Sequence, residues 1–448
     1  MNKLLFKNFE IIDPSQNLNS IKDLLIIDGK IQEISHSIDI SDVKIIDGSN
    51  KTLIPGLIDF HVHYRDPGET YKEDIKTGSE ASAKGGFTTV VMMSNTIPTI
   101  DNLGALIEQK KIIDENCRIR VLQTSSVTIG RKGESLVDID LLSKNGVVSF
   151  SDDGDVISDP KILDQALELA NKNNRTIFEH CEDHELLNDG IINDGSVAVR
   201  LGLKSRPKSA EISSVKRDIE IAKKNDRWVY LQHISCKESV EIIREAKKQG
   251  VKVTAEVTPH HLYMNELWTY GEKGELPSWI DLGAYDTNTR VNPPLRSEDD
   301  RLSLLEAVND KTIDVIATDH APHSRGDKLN TFDSAPAGIN GAETAFVTLL
   351  QLVEKKELSL QKIIETMCNK PGEILDDILN LKIGKIKKGY SADLVAVDNN
   401  DTTKINEDFF ISKSDNSPLI GSTMKGKIKM TIFNGKVIFE DKKWKKYI

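Results

Sequence analysis

His61 and His63 close an apolar run at residues 53–63, and Arg65 stands in the turn that follows. Side chains on a strand alternate between faces, so two histidines one residue apart point the same way and can share a divalent metal ion. Ten histidines in 448 residues would give about 0.2 such pairs by chance on composition alone. The pair gains weight from what recurs along the chain. Ser94-Asn95, Ser151-Asp152-Asp153-Gly154, Glu179-His180, Gln232-His233, Thr258-Pro259-His260-His261 and Thr318-Asp319-His320-Ala321-Pro322-His323 each end an apolar stretch. Packing a core does not call for imidazole at one end of many strands. Nitrogen and carboxylate donors without paired cysteines suit Zn²⁺ or a similar ion. Four histidines and two aspartates exceed what one catalytic zinc with an open position needs. They suit two ions about 3.5–4 Å apart that share a carboxylate and a hydroxide. Such a pair lowers the pKa of a bound water and polarises a carbonyl.

These side chains can meet only if strands bring their C-terminal ends together. Apolar strand candidates fall at 53–63, 88–95, 118–124, 146–152, 175–181, 228–235, 251–258 and 313–318, with helical patterns between most of them, such as 160–173 and 211–224. That alternation is the sign of a parallel sheet with crossover helices. Eight units predict an α/β fold, an eight-fold (β/α) TIM-type barrel with its chemistry at the strand C-termini. An open doubly wound sheet is the alternative. Residues 1–52 have a different texture, short strands punctuated by Asp-Gly and Asn-rich turns, and the C-terminal tail repeats it around an Asn434-Gly435 hairpin. Chain termini often lie close together, so both ends predict one small β-sandwich domain. The expected organisation is a β domain from 1–52 and 376–448 flanking a barrel at 53–375. Segment 265–291, with Trp268, Tyr270, Trp279 and Tyr285, breaks the rhythm and reads as a long ordered rim loop suited to lid duty or oligomer contact.

Composition narrows the function classes. An apolar fraction of 38% with 29% charged residues suits a soluble globular chain. The net charge of −11 argues against nucleic acid or an anionic membrane as partner, and means that an anionic substrate needs a local cation. Four cysteines without a C-x-x-C spacing favour reduced thiols and a cytoplasmic protein. The first ten residues have too short an apolar core for a signal peptide, and no apolar run is long enough to span a membrane.

Taken in order, PGLIDFHVHYRDPG, SDDG, the EHCED around His180, the QHIS around His233, VTPHHL, VNPPLR and ATDHAPH resemble the class I dihydroorotases of the amidohydrolase superfamily. The resemblance spans residues 53–345, and the flanks are similar to that family's composite β domain. It implies a zinc-dependent cyclic amidohydrolase that reversibly converts (S)-dihydroorotate to N-carbamoyl-L-aspartate in de novo pyrimidine (UMP) synthesis. It also implies two zinc ions per chain, bridged by Asp153 and a hydroxide. His61, His63 and Asp319 would hold the first ion, and His180 with His233 the second. Asp319 would double as general acid/base. Arg65, Asn95 and His323 would grip the substrate carboxylate, while Asn292 and the backbone at Ala337 and Gly338 would contact the ring. Expected partners are the small-molecule substrate, a second copy of the chain in a dimer, and an aspartate transcarbamoylase.

Two departures stand out. Ser94 occupies a position where the family usually has proline, and Ala337 one where it usually has phenylalanine. One alternative is a hydantoinase- or allantoinase-like ring opener, which would bridge its metals with a carboxylated lysine. Another is a catalytically silent partner subunit. His36 and His184 are expected at the surface, and His260, His261 and His320 in hydrogen bonds behind the ligands. Cys181 and Cys236 should pack as small apolar groups, and Asp152 should orient its loop.

Overall fold

The computed structural model describes residues 3–271 and 283–441. Its central element is a ring of eight parallel strands, Leu57–Val62, Phe87–Met92, Arg120–Ser125, Ser149–Phe150, Ile177–Glu179, Val229–Leu231, Val253–Val257 and Val315–Ile316, neighbours in chain order. The ring is drawn shut by the residues that follow the last strand. Val62 bridges His320, His63 N donates to His320 O at 2.9 Å, and His320 N donates to His61 O at 3.3 Å. The (β/α) barrel is therefore the architecture, and each strand overlaps its expected run. The helices expected at 160–173 and 211–224 are Pro160–Lys172 and Ser209–Lys224.

Inside the ring the strands and the residues next to them contribute Ile58, Phe60, Val91, Met93, Val148, Phe178, Tyr230, Val315 and Ala317, all buried. The helix Lys370–Leu379 plugs the N-terminal end with Ile374, Leu375 and Ile378. Its Ile378 carbonyl accepts from Arg175 Nη1 at 3.1 Å, just ahead of the strand Ile177–Glu179. The Phe178 and Tyr230 rings stack at 4.0 Å between centroids, and Phe60 lies 6.0 Å from Phe178. A filled interior leaves only the opposite mouth for chemistry. Phe178→Ala should destabilise the fold by about 3–5 kcal/mol through lost burial and the residual cavity, to be read as a lower midpoint in urea denaturation at unchanged m-value.

A second, mixed sheet joins the two termini. Strands Lys3–Asp13, Leu18–Ile27, Lys30–Ser35, Lys44–Asp47 and Thr52–Pro55 pair with Leu394–Lys404, Thr423–Phe433 and Lys436–Glu440. The two ends are joined by the antiparallel pairing of 52–55 with 394–397 and by a bridge between Lys30 and Ser391. Asn434 and Gly435 have φ of 48° and 71°, as the primed hairpin turn requires.

The structure corrects two readings. The run at 53–63 is two strands, not one: Thr52–Pro55 belongs to the terminal sheet and Leu57–Val62 to the barrel. Gly56 stands between them, where a Cβ would lie 2.3 Å from Thr88 Oγ1, so the chain can pass only without a side chain. The tail after 375 is also not wholly sheet. Between two of its strands, Ser412, Ser414 and Asn416 reach the barrel loops. Asn416 Oδ1 accepts from His323 N at 3.0 Å, and its Nδ2 donates to Ala321 O and Gly338 O. The centre of the expected 265–291 rim loop, with Trp279, lies outside the described residues. Of its flanks, Trp268 and Tyr270 are buried and Tyr285 is exposed.

Candidate metal centre and active site

At the mouth of the barrel two groups of potential ligands face each other, His61, His63 and Asp319 on one side and Asp153, His180 and His233 on the other. Asp153 lies between them. Its Oδ1 is 3.6 Å from His61 Nε2, 3.3 Å from His180 Nδ1 and 3.6 Å from His233 Nε2, while its Oδ2 is 3.3 Å from His63 Nε2. Asp319 Oδ1 is 3.0 Å from His63 Nε2 and 3.5 Å from His61 Nε2. The His-x-His pair thus aims both rings at one carboxylate, as strand alternation predicts. His180 Nδ1 and His233 Nε2 are 2.8 Å apart.

The backbone is bent to make these approaches. Arg65, His233 and Asp319 have φ of 57°, 32° and 45°, in a region that residues bearing a Cβ seldom occupy. Positions of this kind persist only where the surroundings over-determine them, and they gather at functional sites. Part of the restraint comes from Asp59, which accepts from His61 N at 3.1 Å, Thr318 N at 2.9 Å and Thr318 Oγ1 at 2.6 Å. It ties the first strand to the chain just before Asp319. Burial pushes the Asp59 carboxyl up to about 6.

For His61, His63 and His180 the ring nitrogen facing away from the centre has its own partner. His61 Nδ1 meets Glu256 Oε1 at 3.0 Å, and His63 Nδ1 meets Asn95 Oδ1 at 2.9 Å. His180 Nε2 lies 3.4 Å from Glu182 Oε2 and 3.3 Å from Asn292 Nδ2. Glu182 in turn accepts from Arg206 Nη1 at 2.8 Å, and Arg206 also bonds Asn292 Oδ1. Such partners select the tautomer and orientation of a ligating imidazole. Glu182, Arg206 and Glu256 were not singled out in the sequence. An acid alone inside an apolar strand, as Glu256 is, was the available signal.

The electrostatics call for a cation. Burial would raise the Asp153 carboxyl, but the charge of His61 and the close approach of His180 and His233 hold it well below the usual range. Burial likewise opposes ionisation of Asp319, and His61 and His63 outweigh it, so this carboxyl too is lowered. Conversely, burial disfavours charge on His61 while Asp319, Asp153 and Glu256 raise it well above its ordinary value. His180 is raised to about 10 by Asp153 and Glu182 against the same penalty. Positive charge is thus wanted where the ring nitrogens converge, and protons or a metal ion can supply it. His61 Nε2 is buried without a hydrogen-bond partner although it faces two carboxylates. An orphaned nitrogen so placed, with this set of imidazoles and aspartates, fits a divalent metal.

The expected substrate contacts fall into two places. Arg65 and His323 are together on the first-group side, Nη2 to Nε2 at 3.4 Å. His323 Nε2 is also 2.8 Å from Ala337 O, and burial with the neighbouring Arg65 charge pushes its pKa down to about 2. Asn95 spans the two groups, since Nδ2 donates to Asp153 O at 3.3 Å while Oδ1 meets His63. Asn292 lies on the second-group side, in the Glu182–Arg206 network. Gly338 N donates to Arg290 O at 2.8 Å and Gly338 O accepts from Asn416, so those two backbone groups are already engaged. Ser94, at the first departure, donates to Ser151 O at 2.8 Å and braces the strand that leads to Asp153.

The remaining residues fall as follows. His36 and His184 are exposed, whereas His260, His261 and His320 are buried. Cys181 and Cys236 are buried, unpaired thiols. Asp152 accepts from Val127 N, Thr128 N and Thr128 Oγ1 and so shapes its loop.

Comparison with known proteins agrees with this geometry. The family described as Dihydro-orotase-like matches residues 50–239. The chain is 42% identical to the dihydroorotase of Aquifex aeolicus over 98% of its own length and 100% of that protein's. It is 41% identical to the dihydroorotase of Carboxydothermus hydrogenoformans, covering 98% of both. Among solved structures, the L-hydantoinase of Arthrobacter aurescens superposes with a TM-score of 0.85 at 23% identity, covering 98% of this chain and 96% of that one. The dihydropyrimidinase of Brevibacillus agri gives 0.83 at 21%, covering 99% and 96%. The structural likeness establishes the barrel with its terminal sheet domain, and identity over the full length goes further: this chain belongs to the dihydroorotase family of the amidohydrolase superfamily.

Proposed function

We propose that the protein is a dihydroorotase, which opens the cyclic amide of (S)-dihydroorotate to N-carbamoyl-L-aspartate and closes it again, with two zinc ions per chain. His61, His63 and Asp319 would hold one ion, His180 and His233 the other, and Asp153 would touch both. The observation that carries the choice of substrate is Arg65. Its guanidinium stands at the rim of the metal-capable cluster and forms no ion pair among the described residues. On a chain of charge −11, such a cation beside the site marks where a carboxylate binds, and a planar guanidinium pairs with a carboxylate bidentately.

When bound, the two ions would lower the pKa of a water and polarise the ring carbonyl. Asp319 stays ionised in its histidine surroundings and is the more accessible of the two aspartates, with side-chain exposures of 13% against 7% for Asp153. It takes the proton of the attacking water and delivers it to the ring nitrogen as the C–N bond breaks. Hydrolysis leaves a new carboxylate and a ureido group, and ring closure retraces the same path. Arg65 and His323 hold the substrate carboxylate so that the ring carbonyl faces the cluster. The strand-tip residue able to bridge is Asp153, since the nearest preceding lysine, Lys144, is exposed at the end of helix Ile139–Lys144. That favours a dihydroorotase over a hydantoinase-like enzyme. The same reading carries a dimeric, cytoplasmic enzyme able to associate with an aspartate transcarbamoylase. Its four unpaired cysteines, three of them buried, suit a reducing compartment.

The test is turnover by the purified protein across dihydroorotate, dihydrouracil, hydantoin and allantoin, with zinc content measured in parallel. Preference for dihydroorotate at two zinc ions per chain supports the proposal. Preference for an uncharged ring, or full activity after metal-free dialysis, overturns it. Within that assay Arg65→Met should raise KM for dihydroorotate by about 10- to 100-fold, the worth of a charge-assisted hydrogen-bonded pair, with a smaller change in kcat. An unchanged KM would move the carboxylate site elsewhere.

A further inference from the structure

We propose that Glu256 is a positioning residue that sets both halves of the metal centre at once. This inference rests on the two-metal reading above and adds a residue to it. Glu256 lies on the strand Val253–Val257 and is fully buried. Its Oε1 is 3.0 Å from His61 Nδ1, in the first ligand group, and accepts from His233 N at 3.3 Å, in the second. Its Oε2 accepts from Tyr230 OH at 2.7 Å. One carboxylate therefore links the ring of a first-group ligand to the main chain of a second-group ligand, with a tyrosine fixing its own rotamer.

The chemistry follows from what a carboxylate can do. Ionised, it only accepts, so it selects the His61 tautomer protonated on Nδ1 and leaves the Nε2 lone pair facing Asp153 and Asp319. Gln232 Nε2 lies 3.1 Å from the same Nδ1 and as a donor would favour the opposite tautomer. A hydrogen bond to a charged group is the stronger of the two, so Glu256 prevails. The His233 contact acts differently, because it holds the main chain at a residue whose φ of 32° needs an outside restraint. The two effects share one side chain, so the two metal affinities should fall together when it is changed.

The experiment is titration of the full-length apo-protein with Zn²⁺ against a chromophoric chelator, which resolves two stepwise constants. Glu256→Gln should weaken both by about 10- to 100-fold, the usual effect of losing a partner behind a metal ligand. Glu182→Gln, which alters the partner of His180 and touches no first-group ligand, should weaken one. Tyr230→Phe keeps the carboxylate but frees its second oxygen, and should weaken both by several-fold; it stands in if Glu256→Gln does not fold by circular dichroism. Wild-type constants in either Glu256→Gln or Tyr230→Phe, or loss at one site only in Glu256→Gln, overturn the inference while leaving the two-metal reading intact. A wild-type protein that binds no zinc overturns both.

Discussion

Asp319→Asn is expected to lower kcat for dihydroorotate by about three to four orders of magnitude, the upper part of what a positioned general acid/base contributes. The carboxylate has two demands on it. In the proposed mechanism it must accept a proton from water and release it to nitrogen, which an amide cannot do, and its Oδ1 approaches both His61 and His63. Asparagine keeps the size and a carbonyl oxygen, so the fold and much of the first metal site should survive. The loss should then appear in kcat more than in KM. Steady-state kinetics beside zinc analysis decides the matter. A variant with its zinc intact and more than a tenth of wild-type kcat would remove Asp319 from proton transfer.

Asp153→Ala should go further and take turnover below detection, together with the metal. Its carboxylate lies 3.3 to 3.6 Å from all four histidines. Without it, His180 and His233 keep no aspartate, Asp319 is left to serve His61 and His63, and each proposed metal would lose a negative ligand. The expected readouts are zinc near zero after dialysis and no product from dihydroorotate at any zinc concentration that the protein tolerates. Chelation of the wild type should reproduce the kinetic result, with recovery on adding zinc back, whereas Asp153→Ala should not recover. Two zinc ions retained in Asp153→Ala would show that some other group bridges them.

The sequence was most legible where local rules act. Apolar runs of strand length, helical periods between them and hydrophilic tips located the ring of strands, because burial on both faces leaves that pattern on each segment independently. It was least legible where two sheets meet. Residues 53–55 and 57–58 are apolar on both sides of Gly56, and no local signal tells which sheet receives them. The tail was misread for a related reason. Asn416 and Ser412 look like ordinary loop residues, and their contacts with His323 and Glu73 span 93 and 339 positions.

Residue types at the strand tips, and hence the capacity for metal-assisted hydrolysis, were determined by the sequence itself: ring closure brings any set of tips together, so histidine and aspartate placed there must converge. What tertiary structure alone decided is which nitrogen of each imidazole faces the centre and what stands behind it. Glu256 is 195 positions from His61 and Asn292 is 112 from His180, and such pairings depend on strand order and stagger around the barrel. A ligand's tautomer is chosen by the neighbour across the ring, and that neighbour exists only once the barrel has closed.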